Sequence, residues 1–479
     1  MSDNTFQTKE FKDNLRRYEE ARETGASIYL EPEDFTDIAE YYNTHGRLDE
    51  ALEAIDLALQ IFPGATDPLA FRARVAILLG HNAEEAMRYA NMISDKHDLE
   101  YYYIVAEIMI ADGREGDAED YLEKKEKNVD SDDLEDFYLD VAMLFADYDL
   151  YDLAEDWLKL CEDTDDDDYQ ELKGRIALSK GHFKESRKIF NALIDRDPYH
   201  IPYWNHLATT QYLSNNISES IESSDFSLAI DPDDTEAILN KANALTVLGN
   251  YDEALKYYGH YQRLQPQSEV ADMGIAAVKM TQNKLEESLH HWLRAEKLCA
   301  PQSSNRLDIC RNLCLVYATL GRFDEAFKEV DKLEKATGGP TSDTYVLRGY
   351  LSLLAGQVDD ARKLFKVAYD DTPQDLRDNT LYYIAYCYFD CNYMQEAHDL
   401  LRQLTASKKS REFADLWAYL VRTDYELGLQ EEFLADLKKA TERNPNSTQR
   451  ELSDIFPSDM PVRDFYNYAV HHPLNRKKQ

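Results

Sequence analysis

ANALTVLGNYDEALKYYGHYQRLQP, residues 242–266, sets Ala242, Leu245, Gly249, Tyr251, Ala254, Tyr258 and Pro266 at fixed intervals. The same intervals separate Gly174, Ala177, Gly181, Phe183, Ser186, Phe190 and Pro198. Between the two copies run Trp204, Leu207, Ala208, Asn215, Ile217, Ser220 and Pro232, in step with both. Further on come Gly349, Gly356, Val358, Ala361, Phe365, Ala368 and Pro373. Near the start come Ala39, Tyr42, Gly46, Leu48, Ala51, Ile55, Ala58 and Pro63. Self-similarity at a fixed period marks a chain of stacked supersecondary units, each too small to bury its apolar face alone.

Each column has a physical role. Apolar residues recur at helical spacing on both sides of a turn, so each unit reads as two helices. Small residues such as Ala242 and Ala254 let two helix axes approach closely. Gly46, Gly249, Gly321 and Gly356 end the first helix where the chain needs positive φ. Asn215, Asn283 and Asn392 stand in for Gly, as the next most tolerant residue type. Asp49, Asp252 and Asp324 put a carboxylate at the start of the second helix, and Pro63, Pro232, Pro266 and Pro445 stop it.

The pattern resembles the tetratricopeptide repeat, whose signature is W-x2-L-G-x2-Y, then Ala, an aromatic and Pro, with a period of about 34 residues. The small residue of the second helix can be followed through Ala51, Ala86, Ala118, Ala154, Ser186, Ser220, Ala254, Ser288, Ala326, Ala361, Ala397 and Phe433. That makes about twelve units. Their expected span is residues 31–447, with a capping helix in 1–30 built on Phe6, Phe11, Leu15 and Tyr18. A second capping helix and a basic tail, Asn475–Gln479, are expected in 448–479. The fit is poorest in the second to fourth units, where Gly80 stands one residue further from its Ala and Asp149 takes the place of Gly. The acidic run Glu162–Asp168 lacks the Gly and terminal Glu of a calcium loop; it is expected to be a solvated loop or a joint between two stretches of solenoid.

The resemblance implies an all-α fold, a right-handed superhelical solenoid of antiparallel helix pairs, with the first helix of each pair lining an inner groove that holds peptides or protein segments. On those inward columns the middle units carry Asn205, His206, Asn240, Asn243, Arg311 and Asn312. Amides both donate to and accept from a peptide backbone. The C-terminal units carry Tyr350, Tyr382, Tyr383, Tyr386, Phe389, Tyr419 and Tyr425 with Arg422, residue types favoured at interface hot spots. The N-terminal units carry Glu33, Asp37, Glu40, Glu107, Asp140 and Asp147, which would attract a basic segment. The family's carboxylate clamp for chaperone C-termini needs cations on successive columns. Glu171, Arg175, His206, Glu236 and Asn240 occupy the matching positions, and the acidic ones are wrong for it.

Composition narrows the function. Of 479 residues 53 are Lys or Arg and 92 are Asp or Glu, a formal charge of −39. Such a chain repels phosphate backbones and anionic headgroups, so neither nucleic acid nor membrane is an expected partner. The acidity serves solubility or selects a basic ligand. Gly (17) and Pro (14) are scarce, which favours helices. The N-terminus is polar, without the apolar core of a signal peptide, and the apolar stretch Ala76–Leu79 is far too short to span a bilayer. The six cysteines, Cys161, Cys299, Cys310, Cys314, Cys387 and Cys391, include no CxxC and read as small buried apolar residues of a reduced, cytoplasmic protein. No P-loop, GxSxG or HExxH occurs. The adjacent pairs His290/His291 and His471/His472 do not share a helix face. The expectation is a scaffold or adaptor for a protein or peptide, basic or extended, with no cofactor and no catalysis. A structural subunit that self-associates is the alternative.

Overall fold

The computed structural model describes residues 6, 8–78, 82–300, 303–457 and 460–472. All regular structure among them is helical. The chain forms two compact units, residues 1–265 and 266–479.

In the first unit, α1 (Lys9–Thr24) precedes seven helix hairpins among the described residues. These are α2 (Pro32–Thr44) with α3 (Leu48–Ile61), α4 (Thr66–Leu78) with α5 (Ala83–Met92), and α6 (Leu99–Ala111) with α7 (Glu115–Glu126). Then come α8 (Leu134–Asp147) with α9 (Tyr151–Leu158), α10 (Asp167–Ser179) with α11 (Phe183–Arg196), α12 (Ile201–Leu213) with α13 (Ile217–Ile230), and α14 (Thr235–Val247) with α15 (Tyr251–Leu264). The second unit has five hairpins: α16 (Val270–Thr281) with α17 (Leu285–Leu298), α18 (Asn305–Thr319) with α19 (Phe323–Ala336), α20 (Ser342–Leu354) with α21 (Val358–Asp371), α22 (Arg377–Asp390) with α23 (Met394–Leu404), and α24 (Leu416–Leu427) with α25 (Gln430–Arg443). Two helices follow, α26 (Pro445–Leu452) and α27 (Phe465–His471).

The small-residue column runs along the hairpin interfaces. Its eleven Ala and Ser members have no exposed surface, and Phe433 is 1% exposed. Such positions admit only a short side chain, because the facing helix leaves no room. Where the residue is Ser, its hydroxyl must find a partner. Ser220 and Ser288 donate to the carbonyls of Ala208 and Ala276 on the facing helix, both at 2.8 Å. Substituting Ala254 by Leu is expected to overpack the α14–α15 contact and to lower stability by about 1–3 kcal/mol, seen as a lower denaturation midpoint; an unchanged midpoint would remove Ala254 from the column.

The turns behave as the column requires. Gly249 has φ 77°, and Asn215, Asn283 and Asn392 have φ 64°, 57° and 63°. Asp149, a departure from the pattern in sequence, has φ 58° and makes the same left-handed turn. Gly80 lies outside the described residues. Pro445 follows the end of α25 and also opens α26 at its first position, where a missing N–H is harmless.

The acidic run is not a loose joint. The backbone N–H groups of Glu162 and Asp163 donate to Glu135 Oε1, each at 2.8 Å. Asp166 caps α10, and Arg196 donates to the Asp165 carbonyl at 3.0 Å and pairs with Asp167. The division between the units falls instead at 265/266.

Within each unit, first helices of successive hairpins pack on one another, as α4 does on α2 and on α6, and α20 on α18 and on α22. Successive second helices stand further apart. The shorter spacing marks the inner side of a curve, so the first helices present the concave face of each unit.

Candidate protein-binding faces

The first-helix face of the first unit is acidic and only sparsely neutralised. Burial pushes the carboxyls of Asp37, Glu40, Asp67, Glu100, Asp140 and Asp168 above the usual carboxylate range. Neighbouring carboxylates push further, Asp34 and Glu33 acting on Asp37 and Asp136 on Asp140. Two guanidiniums answer them. Arg74 reaches Glu100 at 2.6 Å and Glu107 at 2.9 Å, and Arg175 reaches Asp147 at 2.7 Å. The Tyr148 hydroxyl also donates to Glu107 at 3.2 Å, and that of Tyr103 to Asp140 at 2.9 Å. Glu107 and Asp147 are therefore occupied within the protein, whereas Glu33 is exposed.

Towards α14 the face becomes a polar network. His206 Nε2 lies 3.6 Å from Glu171 Oε1, and its ring sits 5.0 Å from that of Phe190. Burial alone would raise the Glu171 carboxyl; His206, aided by His200 and Arg175, outweighs it and holds the group below its usual value. At Glu236 burial, reinforced by Asp234, outweighs His206, Asn205 and Arg175, and the carboxyl is raised. Asn205 is buried, with its amide donating to Asp234 at 2.9 Å and accepting from Ser227 at 2.7 Å. Its amide is satisfied inside the hairpin stack. Asn240 is half-buried and meets Thr209 at 3.3 Å. Asn243 is exposed and accepts from the Tyr258 hydroxyl at 2.7 Å.

The first-helix face of the second unit is aromatic. Tyr382 is stacked on Phe413, with centroids 4.6 Å apart and planes at 15°, and it also faces Tyr419 at 6.4 Å. Phe389 packs on Tyr419 at 4.5 Å, and Tyr386 lies 5.8 Å from the same Tyr419 ring. Tyr419 is 7% exposed, so this stack is rigid backing. Tyr386 rests against this stack and Tyr383 lies beside Tyr382 at 6.3 Å, yet they remain 39% and 50% exposed. Arg311 lies 6.0 Å from the Tyr383 ring and 3.9 Å from Asp343. Asn312 donates to the Asp308 carbonyl of its own helix at 2.8 Å. Tyr350 donates to Asp390. Arg422 pairs with Glu426 at 2.9 Å and Asp454 at 2.5 Å, and its guanidinium sits 5.9 Å from the ring of Tyr425.

The tetratricopeptide-repeat family model matches residues 235–268, which hold α14 and α15. The same column runs through the other hairpins, and the left-handed turn recurs in every one of them whose turn is described, the α4–α5 turn lying outside the described residues. This chain carries a tetratricopeptide repeat. No curated protein sequence matches it significantly. Among solved structures it is similar to a tetratricopeptide repeat protein from Parabacteroides merdae, at 18% identity and a TM-score of 0.40 over 52% of this chain and 97% of that one. The APC/C hetero-tetramer Cut9–Hcn1 matches at 13% identity and a TM-score of 0.38 over 95% of both chains. YrrB, described as a tetratricopeptide protein with an unusual peptide-binding site, matches at 16% identity and a TM-score of 0.29 over 39% of this chain and 94% of that one.

The repeat column carries several residues whose surroundings the sequence did not show. Phe413 lies in the connection between α23 and α24, where no column runs. Thr209 stands one helical turn beyond Asn205, a spacing that could have found it. Arg74 looks like an ordinary surface cation in sequence and Arg175 like one inward cation among acidic neighbours, yet both bind the acidic face of this repeat array. All six thiols are free, and five are buried. Burial pushes Cys161 up to about 11 and Cys391 up to about 12, which keeps them protonated and unreactive. Among the described residues, no three His, Cys, Asp or Glu side chains converge to hold a metal, and no helix is long and apolar enough to cross a membrane.

Proposed function

We propose that this tetratricopeptide-repeat protein is a non-catalytic scaffold that holds a protein or peptide segment along its first-helix faces. The observation that carries the proposal is the pair Tyr383 and Tyr386, exposed on a stack formed by Tyr382, Phe389, Phe413 and Tyr419. A large ring held by rigid neighbours gains contact area on binding while losing little freedom, which makes it a hot-spot anchor. Arg311, beside Tyr383, extends that surface; Asn240 and Asn243 offer amides at the end of the first unit. The acidic face of the first unit favours basic side chains in the partner and disfavours nucleic acid and anionic lipid. The free thiols fit a cytoplasmic location. We take α1, which buries Phe11 and Tyr18, and residues 448–472, which bury Leu452, Phe456 and Phe465, as caps on the repeat array. The basic tail lies outside the described residues.

The test is capture of partners from source lysate, followed by affinity measurement. Tyr383→Ala with Tyr386→Ala is expected to weaken the captured partner by about tenfold or more. Asn240→Ala with Asn243→Ala is expected to weaken it less, because each amide already has a partner in the protein. A partner bound equally well by both double variants would exclude these faces. A purified chain of dimer mass with no captured partner would favour self-association instead.

A further inference from the structure

In the last hairpin, two carboxylates are buried against each other with too few donors to serve both. Asp424 on α24 has no exposed side-chain surface, and Asp436 on α25 has 1%. Arg402 from α23 spans the pair, one terminal nitrogen 3.1 Å from Asp424 Oδ1 and the other on Asp436 Oδ2. Lys439 reaches Asp436 Oδ1 at 3.1 Å, so both oxygens of Asp436 are served. At Asp424 the contacts fall on one oxygen: His398 Nε2 also lies 3.1 Å from Oδ1. Asp424 Oδ2 is buried and has no hydrogen-bond partner.

The other charged groups nearby do not supply the missing donor. On α23, Asp399 stands 3.3 Å from the other ring nitrogen of His398. On α25, Glu432 adds a further negative charge. On α26, Arg450 is engaged by Asp415 at 3.2 Å and Glu451 at 2.8 Å. On α22, Asp390 accepts from Tyr350. An unpaired carboxylate oxygen in such a place is costly, and the least costly remedy is a proton.

We propose that Asp424 carries a proton on Oδ2, shared with Asp436, and that this proton locks α24 between α23 and α25 as a pH-sensitive joint. Burial, reinforced by Asp436 and Glu432 and opposed by Arg402, pushes Asp424 up to about 8. Unfolded, the same carboxyl ionises near 3.8. Between these values the folded state holds a proton that the unfolded state releases, so the lock weakens as pH rises towards 8 and changes little above it. The lock is independent of the scaffold role, although α24 also carries Tyr419 and Arg422.

Hydrogen exchange of the full chain, resolved by peptide and corrected for intrinsic rates, tests this. Protection of α24 is expected to fall by up to about tenfold per pH unit between about pH 5 and 8, the slope of one proton. Segments of α12 serve as the reference for effects of overall charge. Asp424→Asn puts a permanent N–H donor where the proton sits, and is expected to abolish the excess slope with α24 still protected. His398→Gln is expected to keep the slope. No excess slope in the natural chain, a slope that survives Asp424→Asn, or one lost in His398→Gln would each overturn the lock. Should Asp424→Asn leave α24 unprotected at every pH, Asp436→Asn decides. With one carboxylate left for Arg402 the slope must vanish, and its persistence overturns the proposal.

Discussion

Replacing Arg402 by alanine is expected to destabilise the end of the second unit by about 3–5 kcal/mol at neutral pH. The size follows from what is left behind rather than from the ion pair itself. Asp424 and Asp436 are almost fully enclosed, and the guanidinium touches both. Without it the negative charge that the pair keeps beside its proton is left to Lys439, a half-exposed cation on one oxygen of Asp436, and a buried carboxylate so thinly paired carries one of the larger single penalties in a protein. Acidification should return part of the loss, because protonation removes the charge that Arg402 had balanced. Arg362 supplies the contrast. It pairs with Glu396 at 2.8 Å, but its side chain is 53% exposed, so solvent screens the interaction. Arg362→Ala is expected to leave stability nearly unchanged. Urea denaturation of both variants at neutral pH checks the difference, and equal losses would show that burial of the carboxylate pair has no special weight.

Gly349→Ala is the second substitution with a large expected effect. Inside an ordinary helix, Gly to Ala stabilises by about 0.5–1 kcal/mol, because Gly loses more backbone freedom on folding. On α20 the sign reverses. A Cβ at Gly349 would lie 2.4 Å from Phe365 Cε1 and 2.6 Å from Cδ1, and the ring on α21 is buried at 4% exposure. The ring can move only by displacing the hairpin core, so the net loss is expected to reach about 3 kcal/mol, the upper end of overpacking costs. Adding Phe365→Leu should recover much of it, with a clear coupling energy in a double-mutant cycle. Gly116 on α7 is the control. A Cβ there meets nothing within 4 Å, and Gly116→Ala should be neutral or mildly stabilising. Similar denaturation midpoints for the two single variants would contradict the close approach of α20 to α21.

The amino-acid sequence by itself determined the repeat: the helix pairs, the small-residue column from Ala51 to Phe433, and the turns at Gly249 and Asn215. These are local requirements, of helical period, of positive φ and of close approach between neighbours in the chain, and each unit states them again. It also determined the overall acidity and the absence of familiar catalytic motifs. Tertiary structure decided what the inward residues have left to offer. Asn205 and Asn243 look alike in sequence, but Ser227 and Asp234 enclose the first while the second remains exposed. Tyr382 and Tyr383 are adjacent, yet Phe413, from a connection outside the repeat, covers only the former. Asp424 and Asp436 each read as one more carboxylate among 92 acidic residues until α23, α24 and α25 close around them. A side chain's own helix fixes its direction; its exposure, partners and charge state come from groups on other helices, whose positions no single unit of the repeat specifies.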